Sequence, residues 1–420
     1  MIKTTQIFPG ITLRCFRDTR FKQGCLSFQL VRMMDPDEAA MNALLPSVLL
    51  RGTSRCPNLR SITEHLDELY GAAVSPLVRR VGDYQVTGVF CGFMDDRFAL
   101  PGDRVLEPML SFLEEILLDS PLEDGAFLPA FVESEKKNLI ATIESELNDK
   151  RVYAMGRLLK IMCSADTFGL PRMGEKEQVA AIEAKNLYDH YQNILRTSPI
   201  EIFYVGSADS DTVARMLMPL LRRLPREVIA LKPQTGFHPC EGSAVTEAMD
   251  VSQGKLCMGF TTPITNRMKE FPAMQVLNTI FGAGMTSKLF VNVREKMSLC
   301  YYIGSGYYGS KGIMTVSAGI DFDKEQTVRE EVLHQLQLCR DGQISERELE
   351  AARQALLSSL RATHDSPGAI EGYYATAALS GMGMAPEAYM TAINAVTLSD
   401  VVAAAQQLQL HTTYFLKGES

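Results

Sequence analysis

One order of segments occurs twice in this chain, and that repetition limits the fold more than any single motif does. In the first half a strand-like run, CLSFQLVRMMD, precedes an apolar helical stretch, MNALLPSVLLRGT, and a second helix, SITEHLDELYGA. Two strand-like runs follow, AVSPLVRRVG and YQVTGVFCGF. The second half repeats this: GKLCMGFTTP, FPAMQVLNTIFGAG and SKLFVNVREKMSL, then CYYIGSGYY and GIMTVSAGID. The match continues toward both ends. FLPAFVESEKKNLIATIESELNDK, with Leu128, Phe131, Val132, Glu135, Leu139, Ile143 and Leu147 at helical spacing, corresponds to ISERELEAARQALLSSLRATHD. In the latter, Ser345 and Glu348 form a capping box at the helix start. AIEAKNLYDHYQ corresponds to AVTLSDVVAAAQ, and a β-branched run such as IEIFYVGS closes the first half.

Strands in hairpins beside long helices predict an α+β fold of two homologous domains, each a mostly antiparallel sheet flanked by helices. The joint lies in RLPREVIALKPQTGFHPCEGSAV, where Pro225, Pro233, Gly236, Pro239 and Gly242 break regular structure. The reading is a first domain over 1–222, a linker over 223–246 and a second domain over 247–420.

Composition excludes several functions. The net charge of −8 is spread along the 420 residues and leaves no basic footprint for nucleic acid. No window reaches eighteen apolar residues, and the N-terminal segment has no apolar core of a secretion signal, so neither a membrane span nor export is expected. The nine cysteines are scattered, with no C-x-x-C pair. That pattern suits reduced thiols in a cytoplasm better than disulfides or a structural zinc site.

Two stretches of the second half resemble the insulinase/pitrilysin family of zinc peptidases (the inverzincins). FGAGMTSKLF, from Phe281 to Phe290, matches the family's Gly-rich turn, which includes Gly282 and Gly284. VREKMSLCYYIGS, from Val293 to Ser305, places Tyr301 seven positions after Arg294, the spacing of the family's substrate-clamping Arg/Tyr pair. In the first half, DPDEAAMNALLPSVLLRGTS resembles the family's metal-binding helix and the Gly-Thr that follows it. The resemblance spans nearly the whole chain and implies a half-length, two-domain member with an insulinase and mitochondrial-processing-peptidase-like fold.

The catalytic motif itself is missing. Active members carry H-x-x-E-H on a helix, two zinc-binding His on one face and a Glu as general base. Counting back from Gly52-Thr53, those roles fall on Ala43, Pro46 and Ser47. Ala43 has no donor atom, Pro46 no carboxylate, and Ser47 a poor neutral hydroxyl. Pro46 also predicts a kink or a late helix start, because a proline inside a helix removes a hydrogen bond. The third ligand, a Glu on a later helix, falls near Thr142 or Glu144. The six histidines offer no replacement: His65 and Glu68 make half a motif on a solvated helix face, and His364-Asp365 suits a helix end.

The resemblance therefore implies a subunit without metal or cofactor of its own. It would bind peptide through Arg294, Tyr301, Gly282 and Gly284, and would complement a paralogous zinc-bearing chain in a heterodimer, or else form a homodimer. One alternative is a non-proteolytic scaffold or peptide-binding protein of the same fold. A metalloendopeptidase with a non-consensus zinc site ranks last, because metal affinity needs several ligands placed together.

Overall fold

The computed structural model of the chain describes residues 2–238 and 240–419. Met1, Pro239 and Ser420, which fall within the ranges read from the sequence, lie outside the described residues. The first sheet contains β1 (Ile2–Phe8), β2 (Ile11–Arg17), β3 (Gln23–Met33), β4 (Ala73–Val81) and β5 (Tyr84–Met94). A short hairpin, β6 (Leu122–Glu123) and β7 (Ala126–Phe127), comes next in the chain, and β8 (Ile200–Gly206) completes the first sheet. The second sheet contains β9 (Ala244–Met249), β10 (Gly254–Thr261), β11 (Tyr302–Tyr308), β12 (Ile313–Ile320) and β13 (Gln409–Gly418).

The two sheets have the same topology. The first runs β4-β5-β3-β8-β2-β1 and the second β11-β12-β10-β13-β9. Each has one parallel pair at the same place, β2 with β8 and β9 with β13, and antiparallel pairs elsewhere. The first sheet differs by the additional edge strand β1. The duplicated segment order is thus a duplicated strand order.

The central strand β3 is buried along almost its whole length, so both of its faces need cover. Leu26, Phe28 and Leu30 pack into a core with Leu44, Leu45 and Val48 of helix Ala39–Leu49 and Leu113 and Ile116 of helix Leu106–Leu118. The opposite face presents Cys25, Ser27 and Gln29. It is met by helix Pro367–Ser380, whose Ile370 packs with Cys25 and Val205. Glu371 of this helix is fully buried. Its carboxylate accepts from Ser27 Oγ at 2.7 Å, Gln29 Nε2 at 2.8 Å, and both terminal nitrogens of Arg79 at 2.9 and 2.7 Å. A polar pair on an otherwise apolar strand is explained by this one carboxylate.

The compact units therefore depart from chain order in two segments. The first comprises the chain to Glu144, Pro171–Pro233 and His364–Thr376; the second comprises Ser145–Leu170, Gln234–Thr363 and the chain from Ala377. Helix Lys150–Met162, from the first half of the sequence, packs Ala154 and Leu158 on Cys257, Tyr414 and Leu416 of the second sheet. Each sheet is completed by a helix from the other half of the chain. The segment read as a linker is also pinned at both ends. Arg226 donates to the Ser198 carbonyl at 2.5 Å, and the Gln234 carbonyl accepts from Lys311 at 3.1 Å.

The capping box expected at Ser345 is present, with Ser345 Oγ accepting from the Glu348 amide at 3.2 Å and the Glu348 carboxylate accepting from the Ser345 amide at 2.8 Å. No single helix among the described residues is long and apolar enough to cross a membrane.

Lys311, in the turn between β11 and β12, forms an ion pair with Asp166 at 2.9 Å, and both side chains are essentially inaccessible. Removing one partner of such a pair leaves a buried charge. Lys311→Met is expected to destabilise the protein by about 3–5 kcal/mol in urea denaturation. The Lys311→Met, Asp166→Leu double variant should recover most of that loss.

Candidate functional site

Ala43, Pro46 and Ser47 all lie on helix Ala39–Leu49. The late start expected at Pro46 does not occur; the helix runs through the proline. The reason is a substituted donor. Pro46 cannot donate an N–H to the Asn42 carbonyl, and the buried Thr87 hydroxyl of β5 donates to it instead, at 2.6 Å. The Asn42 side chain is also buried and satisfied: its amide donates to Gln85 Oε1 at 2.9 Å, and its Oδ1 lies 2.7 Å from His190 Nε2. Gln85 in turn donates to the carbonyls of Ala39 and Arg172. A closed polar network thus holds the helix that would carry a catalytic motif.

The donor chemistry on this helix does not fit a zinc ion. Ala43 and Pro46 are buried and carry no ligand atom. Thr142 is exposed on helix Pro129–Asn148, and its hydroxyl donates back to the Asn138 carbonyl at 2.9 Å. Glu144 is exposed, 3.8 Å from Lys176. The buried carboxylate of that helix is Glu135. It faces Arg51 at 3.2 Å and accepts from Asn138 at 3.1 Å, so a cation of the chain already neutralises it. Among the described residues no three His, Cys, Asp or Glu side chains gather as a metal-holding group.

The second unit brings Gly282, Gly284, Arg294 and Tyr301 onto one connected stretch. Gly282 ends helix Phe271–Phe281, and its carbonyl accepts from the Ser305 amide of β11 at 3.1 Å. A Cβ on Gly282 would stand 2.5 Å from Ser305 Oγ. Gly284 has φ +137°, a conformation that side chains rarely allow. The helix expected after this turn is present as a π-helix, Leu289–Lys296, and the Met297 amide reaches five residues back to Asn292 at 3.0 Å. Such wide turns are rare and frequent at functional sites. Ser298, at φ +51°, then reverses the chain into β11; a non-glycine residue there stores of order 1 kcal/mol.

That reversal ties the pair together. Arg294 Nε donates to the Tyr301 carbonyl at 3.0 Å, its Nη1 lies 3.1 Å from Glu295, and its guanidinium covers the Phe290 ring at 4.7 Å. Tyr301 is 59% exposed, and its hydroxyl donates to Asp321 at 2.9 Å. That bond to Asp321 raises the phenol above its usual pKa. The two side chains, with Glu295, Ser298, Leu299, Cys300 and Asp321, line an open depression of ≈ 450 Å³. Asp321 was not legible as part of this group, because twenty residues separate it from Tyr301 and no short motif links them.

A sequence model of the family described as "Peptidase M16 inactive domain" matches residues 181–356. A protein of Bacillus subtilis (strain 168), described as "Probable inactive metalloprotease YmfF", is 31% identical over 409 residues, 97% of this chain and 96% of that one. The chain belongs to the peptidase M16 family. It is a homologue of the inactive kind, as the degenerate motif requires. Another Bacillus subtilis relative, "Uncharacterized zinc protease YmxG", is 23% identical and spans 84% of this chain and 86% of its own. The crystal structure of a conserved protein from Enterococcus faecalis V583 superposes with a TM-score of 0.91 at 28% identity, covering 100% of this chain and 99% of that one. This M16 homologue therefore matches its relatives across both halves.

Two measurements test the network around the degenerate helix. Thr87→Val should cost about 1–3 kcal/mol, the penalty for an orphaned buried carbonyl. Pro46→Ala should restore part of the loss in that background and little in the wild type, because the new N–H can reach the Asn42 carbonyl.

His190 gives a pH test. Burial lowers its pKa from 6.5; Glu38 opposes that shift, and Arg32 adds a smaller lowering. The folded form takes up this proton at lower pH than the unfolded chain does, so its contribution is intact above 6.5 and declines as the pH falls through that value. Denaturation midpoints at about pH 7.5 and 5.5 should differ less for His190→Gln than for the wild type.

Proposed function

We propose that this M16 homologue is a non-catalytic subunit that binds peptide and complements a zinc-bearing paralogous chain. One observation carries the reading: hydrogen-bond donors persist on one unit while the metal ligands are replaced on the other. Ala43 and Pro46 have become core. Arg294 is half-buried and Tyr301 exposed, hydrogen bonds orient both, and they line an open depression.

The chemistry suits peptide hydrolysis on a partner. Attack of water on a peptide carbonyl builds negative charge on its oxygen. A phenol and a guanidinium can both donate to that oxygen or to a neighbouring carbonyl. To do so, Tyr301 exchanges its bond to the Asp321 carboxylate for one to the oxygen on which negative charge develops. The scaffold reading has its own support: both donors are satisfied within the chain, Arg294 by Tyr301 and Glu295, and Tyr301 by Asp321.

Reconstitution with a zinc-bearing M16 chain that co-purifies with this one separates the two readings. Tyr301→Phe should leave assembly intact and lower turnover by about 10²-fold or more, the size of a lost transition-state donor. Arg294→Ala should raise KM and lower turnover. Full activity from both variants would make the pair structural and the scaffold reading correct.

A further inference from the structure

One rung of the second sheet gathers two cations around one aromatic ring. Register aligns Tyr302 of β11 with Gly319 of β12, Gly319 with Lys255 of β10, Lys255 with Leu416 of β13, and Leu416 with Glu247 of β9. Residues on one rung share a face. Gly319 is an empty slot in that rung, and the Tyr302 ring fills it: a Cβ on Gly319 would stand 2.4 Å from Tyr302 Cε1. The ring thereby reaches Lys255, whose Nζ lies 5.7 Å from its centroid. From helix Lys150–Met162, the Arg151 guanidinium covers the same ring at 4.2 Å.

The charges along the rung are unevenly matched. Glu247 accepts from Tyr153 at 2.6 Å, Tyr414 at 2.8 Å and Arg157 at 3.0 Å. Burial opposes its charge, yet these donors hold the carboxyl below its usual pKa. Arg151 and Lys255 have no carboxylate partner among the described residues. Lys255 Nζ donates to the Gln253 side chain. Asp149, next along the chain, is engaged as a helix cap by the amides of Arg151 and Val152. Burial, and then repulsion from Arg151, push the Lys255 ammonium below its usual pKa, with Asp149 opposing weakly. Two like charges are thus held against one ring without a carboxylate partner among the described residues.

We propose that Arg151, Lys255 and the Tyr302 ring over Gly319 form a binding site for a carboxylate of a bound peptide, either its C-terminus or an acidic side chain. The guanidinium fork suits a carboxylate in two-point contact, and the ammonium adds a point charge. This site rests on the peptide-binding reading but is independent of Arg294 and Tyr301.

The test uses the full chain with ¹³C at lysine Cε, the Lys255 resonance being assigned with Lys255→Arg. The probes are N-acetylglycine for a C-terminus, N-acetylglutamic acid α-amide for an acidic side chain, and N-acetylglycinamide as the neutral control. A carboxylate should move the Lys255 resonance saturably and shift its titration upward, and the neutral amide should do neither. Whichever carboxylate saturates at lower concentration names the source. Arg151→Gln should weaken the response about tenfold or more, the scale of a charge-assisted hydrogen bond. Gly319→Ala, which evicts the ring and leaves both cations, should weaken it too. The proposal falls if carboxylate and amide act alike, if neither moves Lys255, or if Arg151→Gln responds as the wild type does. Peptide turnover that depends on Tyr301 in the reconstituted complex would still stand in that case. A Lys255 response without such turnover would overturn the proposed subunit role alone.

Discussion

A sheet whose central strands are buried on both faces has to be covered twice, and the rest of this structure follows from how that is done. In the first unit, Leu26, Phe28 and Leu30 of β3 take one face and Cys25, Ser27 and Gln29 the other. The first face is covered by helices of its own half. The second is covered by helix Pro367–Ser380, and Glu371 fixes its place through four short bonds. A buried carboxylate is costly unless every lone pair is used. Here the donors on β3 and β4 use them, so the helix has one favourable register. In the second unit the helix supplied by the other half carries no buried carboxylate. It seats Leu158 and Met162 against Gly259, where a side chain would stand 2.4 Å from the Met162 sulfur. One repeat uses charge to set the register and the other uses close packing.

The same economy shows where the family's catalytic groups have gone. The Pro46 helix retains its shape because the hydrogen bond it lacks is replaced from the side by Thr87. His190, Asn42 and Gln85 then close a network in which no group seeks a ligand. Nearby, Arg51 takes the charge of Glu135. A catalytic helix must leave donors unsatisfied until substrate or metal arrives. This one has been converted into a satisfied core helix, and returning His side chains to it would first have to dismantle that network.

The fold was legible because duplication and hydrophobic period are local signals that repeat. FPAMQVLNTIF reads as a buried helix beside MNALLPSVLL, and the structure places both in the same role. The Arg294–Tyr301 contact was legible because seven residues separate the two. What could not be read depends on distance along the chain. Thr87 rescues a proline forty-one residues earlier, Asp321 holds a phenol twenty residues earlier, and Glu371 answers Ser27 from the far end of the sequence. The π-helix was hidden for another reason: Leu289 and Val293 are buried four apart, as in an ordinary helix, and the wide turn shows only in backbone bonds. The exchanged helices were hidden because segment order says which elements exist and not which sheet each one covers.

Under the proposed function, the two donors of the second unit also say where affinity for a peptide would have to arise. Tyr301 already donates to Asp321, and Arg294 to a carbonyl and a carboxylate. Transferring those bonds to substrate exchanges one set of partners for another, and such exchanges contribute little net free energy. Their value lies in orientation, which matters in a transition state more than in binding. Binding free energy must come from groups that gain a partner without losing one. Under the proposal, Lys255 on the rung through Gly319 and Arg151 on helix Lys150–Met162 would be such groups, since neither has a carboxylate partner among the described residues. The two proposals thus divide the work: Arg294 and Tyr301 would orient a carbonyl, while Arg151 and Lys255 beside the Tyr302 ring would capture a charge.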